Sequence, residues 1–282
     1  MPHYRIDIAI AEDSQDMLLA QLYDQDFDFD GLEQTTDAVQ IYVALDAEPF
    51  QAYLTSLQSL FASHQLGELL SHAEIENKNW NEEWERSLKA VDVPPFFIKP
   101  DVWQGVVPDN RTVIRINPKM AFGTGYHETT RLVMRMIAEY TEPKDFVIDA
   151  GTGTGILAIA ALKHGASKAL GFDVDTWCDT NARENAELNE VSDRFEVRIG
   201  STEQLADQKP AQLFLANINK NALIELLPIF SEFVENNGRL ILSGLLDSDR
   251  DDIMNVDILK NSYNFLQIKQ EGEWISLAFQ KH

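Results

Sequence analysis

Residues 147 to 157 read VIDAGTGTGIL, an apolar strand pattern that runs straight into Gly151, Gly153 and Gly155 and then into a helical pattern. Glycines at alternate positions between a strand and a helix bring bare backbone N–H groups close to a ligand at the helix N-terminus. The next strand pattern, 168 to 173, ends in Asp173. An acid about 20 residues beyond such a turn can accept both hydrogens of a ribose diol. An ordinary strand-to-helix turn has no use for that acid. The pairing therefore constrains the chain to an α/β fold with a nucleotide-type ligand beyond the carboxyl ends of its strands.

The glycine spacing narrows the ligand. A dinucleotide fingerprint is GxGxxG, but here the third glycine comes one residue early and Ile156 fills its slot. With Asp149 closing the strand, the pattern suits S-adenosylmethionine better than NAD.

Strands and helices alternate through the C-terminal two thirds. The patterns predict strand 146–150, helix 155–164, strand 168–173, helix 176–189, a short strand near 195–198, strand 213–217 and helix 220–235. Strand 239–244 follows a turn at Asn237 and Gly238, and the tail folds as a hairpin about Glu271 and Gly272. These elements make a doubly wound, Rossmann-like parallel sheet with an antiparallel edge hairpin. Before it, strand 4–10, helix 13–22, two strands within 26–45, helix 49–61 and a short strand 73–76 give the order βαββαβ of a ferredoxin-like α+β domain. Trp80 and Trp84 lie four apart on a helix expected over 79–88 and read as packing anchors. The expected organisation is an acidic recognition domain over 1–76, a linker helix over 77–92 and the α/β domain over 93–282.

Charge bears on the partner. The net charge is −23, which repels phosphate backbones and disfavours direct nucleic-acid binding. Residues 1–70 hold 13 Asp and Glu against the single base Arg5, a net −12, while the other 212 residues carry −11. A basic protein partner fits that skew. Cys178, the single cysteine, has no disulfide partner and sits in a helical pattern as a buried structural thiol. No histidines are paired at zinc spacing, so no metal is expected. MPHYRIDIAIAED has neither a basic n-region nor an apolar h-region, and no run of about 18 apolar residues occurs. The expectation is a cytoplasmic protein without a membrane partner, of open oligomeric state.

Four features project to the carboxyl ends of the strands: the glycine turn, Asp173, Asn217 after LFLAN, and the loop from Phe122 to Thr130. NPKMAFGTGYHETT at 117–130 resembles the loop AFGTGxHPTT of the PrmA family, methyltransferases of large-subunit ribosomal protein L11. VIDAGTGTGILAIAALKHGA resembles that family's cofactor turn, GFDVDT its ribose strand, and LANI with LILSGLL its fourth and fifth strands. The resemblance implies a class I S-adenosylmethionine-dependent methyltransferase domain behind an N-terminal recognition domain. It also implies that Thr130, Gly151, Asp173 and Asn217 contact the cofactor, beside Gly153 of the turn. Phe122, Gly123 and Thr124 then belong to a loop over its methionine end. Asn217 is the candidate catalytic residue.

The chain departs from the family pattern at Glu128 and Thr176, where prolines are usual, and at INK after Asn217. His127 lies in the signature loop, but a structural role at the helix start is favoured over that of a base. The activity implied is methyl transfer to lysine or N-terminal amino groups of a basic ribosomal protein. A nucleobase amino methyltransferase is the alternative, disfavoured because Ile218, Asn219 and Lys220 offer no stacking aromatic after the Asn. A non-catalytic cofactor-binding adaptor is the other, against which the intact turn, Asp173 and Asn217 argue. Calorimetry should detect binding of S-adenosylmethionine and none of NAD; comparable binding of NAD would contradict the reading of the glycine turn.

Overall fold

The structure, a computed structural model, describes residues 2–11, 31–34, 37–64, 67–75, 89–117 and 122–282, with Gln15, Leu18, Leu22, Phe27 and Phe29. The chain divides into two compact units, Met1–Trp80 and Asn81–His282.

In the first unit, β1 (His3–Ala9), β2 (Gly31–Gln34), β3 (Ala38–Ala44) and β4 (Glu68–Ile75) form an antiparallel sheet in the order β2-β3-β1-β4, with α1 (Ala47–His64) packed on one face. Alternation decides which face is covered: Tyr4, Ile6 and Ile8 of β1 and Val39, Ile41 and Val43 of β3 are buried with Phe50, Leu54, Leu57 and Phe61 of α1. The opposite face is polar. There Asp7 accepts hydrogen bonds from Arg5, from Gln40 at 2.7 Å and from Ser71 at 2.6 Å. This is the ferredoxin-like strand order expected from βαββαβ. Of the helix expected over 13–22, Gln15, Leu18 and Leu22 are described, all buried; the rest lies outside the described residues. So do seven of the 13 acids of residues 1–70. β4 starts five residues before the expected Ala73, because an edge strand with mostly exposed side chains carries no alternation to mark its beginning.

The second unit opens with a three-stranded sheet of β5 (Val91–Val93), β6 (Phe96–Lys99) and β7 (Thr112–Arg115), with β6 central. The linker helix expected over 77–92 lies outside the described residues as far as 88. Val91 and Asp92, its last two positions, belong to β5: the residue before a proline avoids the α region, and Val93 precedes Pro94.

The main sheet has seven strands in the order β10-β9-β8-β11-β12-β14-β13. Its parallel members are β8 (Phe146–Ala150), β9 (Lys168–Asp173), β10 (Phe195–Ile199), β11 (Ala211–Asn217) and β12 (Val234–Leu246). β14 (Trp274–Lys281) pairs antiparallel with β12 and with β13 (Tyr263–Glu271), giving the edge hairpin that the sequence predicts. The helices are α2 (Glu128–Tyr140), α3 (Ile156–His164), α4 (Thr176–Leu188) and α5 (Lys220–Glu232), with the short α6 (Arg250–Met254) and α7 (Asp257–Ser262) before β13.

β12 is longer than the predicted 239–244 and contains the expected turn: Asn237 takes φ +63°, and the register with β11 jumps from Ala211–Val234 to Leu213–Arg239. Both faces of the sheet are covered. In β11, Leu213 and Leu215 enter one core while Phe214 and Ala216 enter the other, so strands buried on two sides read as continuous apolar runs. The strand order reverses between β8 and β11, which places the expected ligand crevice beyond Ala150 and Asn217. Among the described residues, no helix is long and apolar enough to cross a membrane.

Candidate active site

The glycine turn is held in three directions. Toward β9, Gly151 N and Thr152 N donate to the Phe172 carbonyl at 2.9 and 3.1 Å. Toward its own strand, Asp149 Oδ2 accepts from Thr152 Oγ1 at 2.8 Å and from Ala158 N of α3 at 3.3 Å. Toward the preceding loop, Thr154 N donates to Phe122 O at 2.9 Å and Thr154 Oγ1 to Gly123 O at 2.6 Å. Gly153 shows why a side chain is excluded. Its φ is +54°, and a Cβ there would collide with the Phe122 carbonyl oxygen.

A cavity of about 370 Å³ opens at these strand ends, within the roughly 300–1,000 Å³ range of small-molecule sites. Five of the residues singled out from the sequence line it: Phe122, Gly151, Gly153, Asp173 and Asn217. Asp173 Oδ2 accepts from Gly153 N at 2.9 Å and Oδ1 from Asp175 N at 3.1 Å. A carboxylate has about four acceptor sites, so lone pairs remain on both oxygens for a diol.

Three other candidates stand apart from the wall. Gly123 lies behind it, its carbonyl taken by Thr154. Thr124 accepts from Tyr126 N and lines a separate small depression with Lys89 and Lys99. Thr130 is fully buried in the first turn of α2, and its hydroxyl has no partner among the described residues.

Several wall residues went unmarked in the sequence. Gly200 and Ser201 follow β10, and Val174, Asp175 and Ile218 follow β9 and β11. The rule that found Asn217, that ligands lie beyond the carboxyl ends of the strands, applies equally to the short strand near 195 and points to Gly200 and Ser201. Cys178 also lines the wall. Burial first, and then Asp173 and Asp175, push its thiol up to about 12, so it stays protonated and unreactive, as a structural thiol does.

His127 caps α2: its Nδ1 faces Thr129 Oγ1 at 2.8 Å and accepts from Thr129 N at 3.3 Å. Its ring lies edge-on to Trp274 at 4.7 Å between centroids and 5.4 Å from Phe122. The departures from the family pattern also acquire local functions. Glu128 occupies the first turn of α2, where its hydrogen bond to its own backbone N–H and its ion pair with Arg131 lower its pKa. Asp175 caps α4 without the proline, accepting from Trp177 N at 2.9 Å across Thr176. Asn219 caps α5, and Lys220 bridges to Asp249 at 2.8 Å and Asp252 at 3.0 Å.

Comparison with known proteins agrees with this geometry. The family model described as ribosomal protein L11 methyltransferase (PrmA) matches residues 8–282. The chain belongs to this family. It is 34% identical over 285 residues to the ribosomal protein L11 methyltransferase of Porphyromonas gingivalis, covering 98% of this chain and 94% of that one. It is 35% identical over 287 residues to the protein of the same name from Chlorobaculum parvum, covering 97% and 96%. The crystal structure of a ribosomal protein L11 methylase from Lactobacillus delbrueckii subsp. bulgaricus superposes with a TM-score of 0.62 at 32% identity, covering 69% of this chain and all of that one.

The chain is a class I methyltransferase and its methyl donor is S-adenosylmethionine. The cavity fits such a group on its own evidence. Asn217, which lines it, keeps a buried side-chain oxygen without a partner among the described residues, and native proteins leave few such atoms unsatisfied; outside the lining, Asp149 Oδ1 and Thr130 Oγ1 are in the same state.

Asp149 stores strain of this kind. It is fully buried, and burial foremost pushes its carboxyl up to about 7. Because the folded pKa exceeds the unfolded one, this group makes the fold less stable as pH rises from about 4 to about 7, and the deficit stays constant above that. Asp149→Asn keeps the hydrogen-bond acceptor and removes the charge. It should raise the unfolding free energy of the ligand-free protein by up to about 4 kcal/mol at pH 8, with the gain vanishing near pH 4. Denaturant titrations across that range test this; an equal effect at both ends would contradict it.

Proposed function

We propose that this chain methylates amino nitrogens of ribosomal protein L11, lysine side chains and the N-terminal amine, with the methyl donor seated in the cavity at the ends of β8, β9 and β11. The observation that carries the reading is Asn217: it ends β11 at the switch in strand order, lines the cavity, is 9% exposed, and keeps a buried side-chain oxygen with no partner among the described residues. In this reading the lone pairs left on Asp173 take the ribose hydroxyls. The bare backbone of Gly151 and Gly153 lets the donor approach closely, and Phe122 covers it.

The sulfonium of the bound donor supplies an already electrophilic methyl group. The protein's task is alignment: Asn217 and the loop at Phe122 hold an amine about 3 to 3.5 Å from its target and exclude water. The amine must arrive neutral, since ammonium has no lone pair and a free lysine has a pKa near 10.4. Burial lowers that value, whereas an adjacent carboxylate raises it. Glu128 is tied to Arg131, and of the lining residues Asn217, Ile218 and Phe122 carry no charge, so in this reading the amine is received beside these three and away from Asp173 and Asp175 at the ribose end. Attraction of the substrate falls instead to the segment 1–70, whose net charge of −12 suits a lysine-rich ribosomal protein met in the cytoplasm.

Mass spectrometry of purified L11 incubated with the chain and S-adenosylmethionine should show increments of one methyl on lysines and the N-terminal amine; modification confined to other residue types overturns the proposal. Asn217→Ala should fold as the wild type yet slow transfer roughly 100-fold, the cost of a misplaced reactant. An unchanged rate would reduce Asn217 to a turn former. Surface-charge docking is screened over about 10 Å at 0.1 M salt. KM for L11 should therefore climb with ionic strength while affinity for S-adenosylmethionine holds, and a KM indifferent to salt would leave the acidic segment a solubilising face.

A further inference from the structure

Three asparagines lie four apart, Asn181 and Asn185 on α4 and Asn189 as its C-cap, and all are buried. Asparagine is a poor helix former, and a buried amide costs free energy unless hydrogen-bonded, so three on one stripe need a partner. The partner is an extended strand end. Asn189 accepts from Arg115 N at 2.9 Å and donates to Arg115 O at 2.6 Å. Asn185 accepts from Asn117 N at 2.9 Å and donates to Asn117 O at 3.3 Å, and Asn181 donates to Asn117 O at 2.7 Å. The match is geometric: four helical residues rise about 6 Å, and two residues of extended chain about 6.6 Å. The amides take the place of a neighbouring strand.

Asn185 does more than its neighbours. Its Nδ2 also donates to Thr154 O at 3.0 Å, and Thr154 in turn holds Phe122 through its N–H and Gly123 through its hydroxyl. One side chain thus ties both Asn117, directly, and Phe122 and Gly123, by way of Thr154. Asn189, equally buried and making the same pair of backbone bonds, reaches neither Thr154 nor the loop.

We propose that Asn185 is a positioning residue for S-adenosylmethionine: it sets where Phe122 stands over the cavity and so governs affinity for the cofactor. The inference rests on the cofactor placement given under Proposed function. Asn189→Ala is its control one turn away, losing three buried bonds to backbone, with Arg115 N, Arg115 O and Asn185 O.

The test compares full-length Asn185→Ala, Asn189→Ala, Thr154→Val and Asp173→Ala with the wild type. It reads calorimetric affinity for S-adenosylhomocysteine, amide exchange at 122–125 in the ligand-free protein, unfolding temperature, and the KM and kcat of methyl transfer. Both asparagine variants should lose stability to a similar degree. Only Asn185→Ala should weaken binding by about tenfold or more, the scale of a lost buried hydrogen bond, with faster exchange at 122–125 and a rise in donor KM larger than the fall in kcat. Thr154→Val, which cuts the tie to Gly123 and leaves α4 untouched, should weaken binding in the same direction and carries the test should Asn185→Ala not fold. Wild-type affinity in Thr154→Val, or equal affinity in the two asparagine variants, overturns the inference. Wild-type affinity in Asp173→Ala signals a different failure, that of the cofactor placement itself.

Discussion

Two loops from distant parts of the chain meet where the carbonyl of Phe122 rests over Gly153 and accepts the N–H of Thr154. Much of the second unit depends on that meeting. It requires a residue without a side chain at 153, in a left-handed conformation that other residues adopt only at a cost. The same turn is pinned to β9 through the Phe172 carbonyl and to β8 through Asp149, so a shift in any one strand would be felt in the cavity wall. Asp173 belongs to this arrangement as well: it accepts from Gly153 N, which presets the spacing between acid and turn before any ligand arrives.

The loop is also held from its outer side. Arg131 of α2 donates to the carbonyls of Gly125 and Tyr126 and pairs with both Glu128 and Glu271, while Arg135 shares Glu271 at 2.6 Å. Two arginines and two acids form one network reaching from the signature loop to the tip of the β13–β14 hairpin. Such a network resists screening better than an isolated surface pair, because Arg131 is 16% exposed and each of its contacts orients the next. A proline at 128 would lack the acid. Glu128 therefore adds a support in place of ring rigidity, and the negative charge it brings is compensated locally.

The parallel sheet was legible in the sequence because its strands are short, apolar on both faces and bounded by glycine or an acid; strands 146–150 and 168–173 appear at their expected limits. The edge hairpin was legible from Glu271 and Gly272, since Gly272 takes φ +60° at its turn. β4 was harder to bound because an exposed edge strand has no periodicity, and β5 because a three-residue strand lies below the length at which periodicity can be counted. In the site, motif positions such as Gly151 and Asp173 could be read directly. Ser201 and Ile218 carry no motif: the strand-end rule reaches them, but whether they line the wall depends on which strands are neighbours, and strand order is a property of the folded sheet. The asparagine stripe on α4 reads as ordinary helical polarity until the strand end it satisfies is seen beside it.

The position of β14 has a consequence for how the second unit is made. β14 follows every other strand of its sheet in the sequence, yet it lies between β12 and β13, and its hairpin carries the Glu271 that anchors the loop through Arg131. During synthesis the chain emerges N-terminus first, at about 5 to 20 residues per second. Until β14 is released, β12 is paired with β11 but keeps an open edge, and β13 has no partner and cannot take its final place. The parallel strands can collapse earlier, but the arginine network cannot close. The outer support of the signature loop is thus completed last, by the segment of the second unit that lies furthest in sequence from the glycine turn.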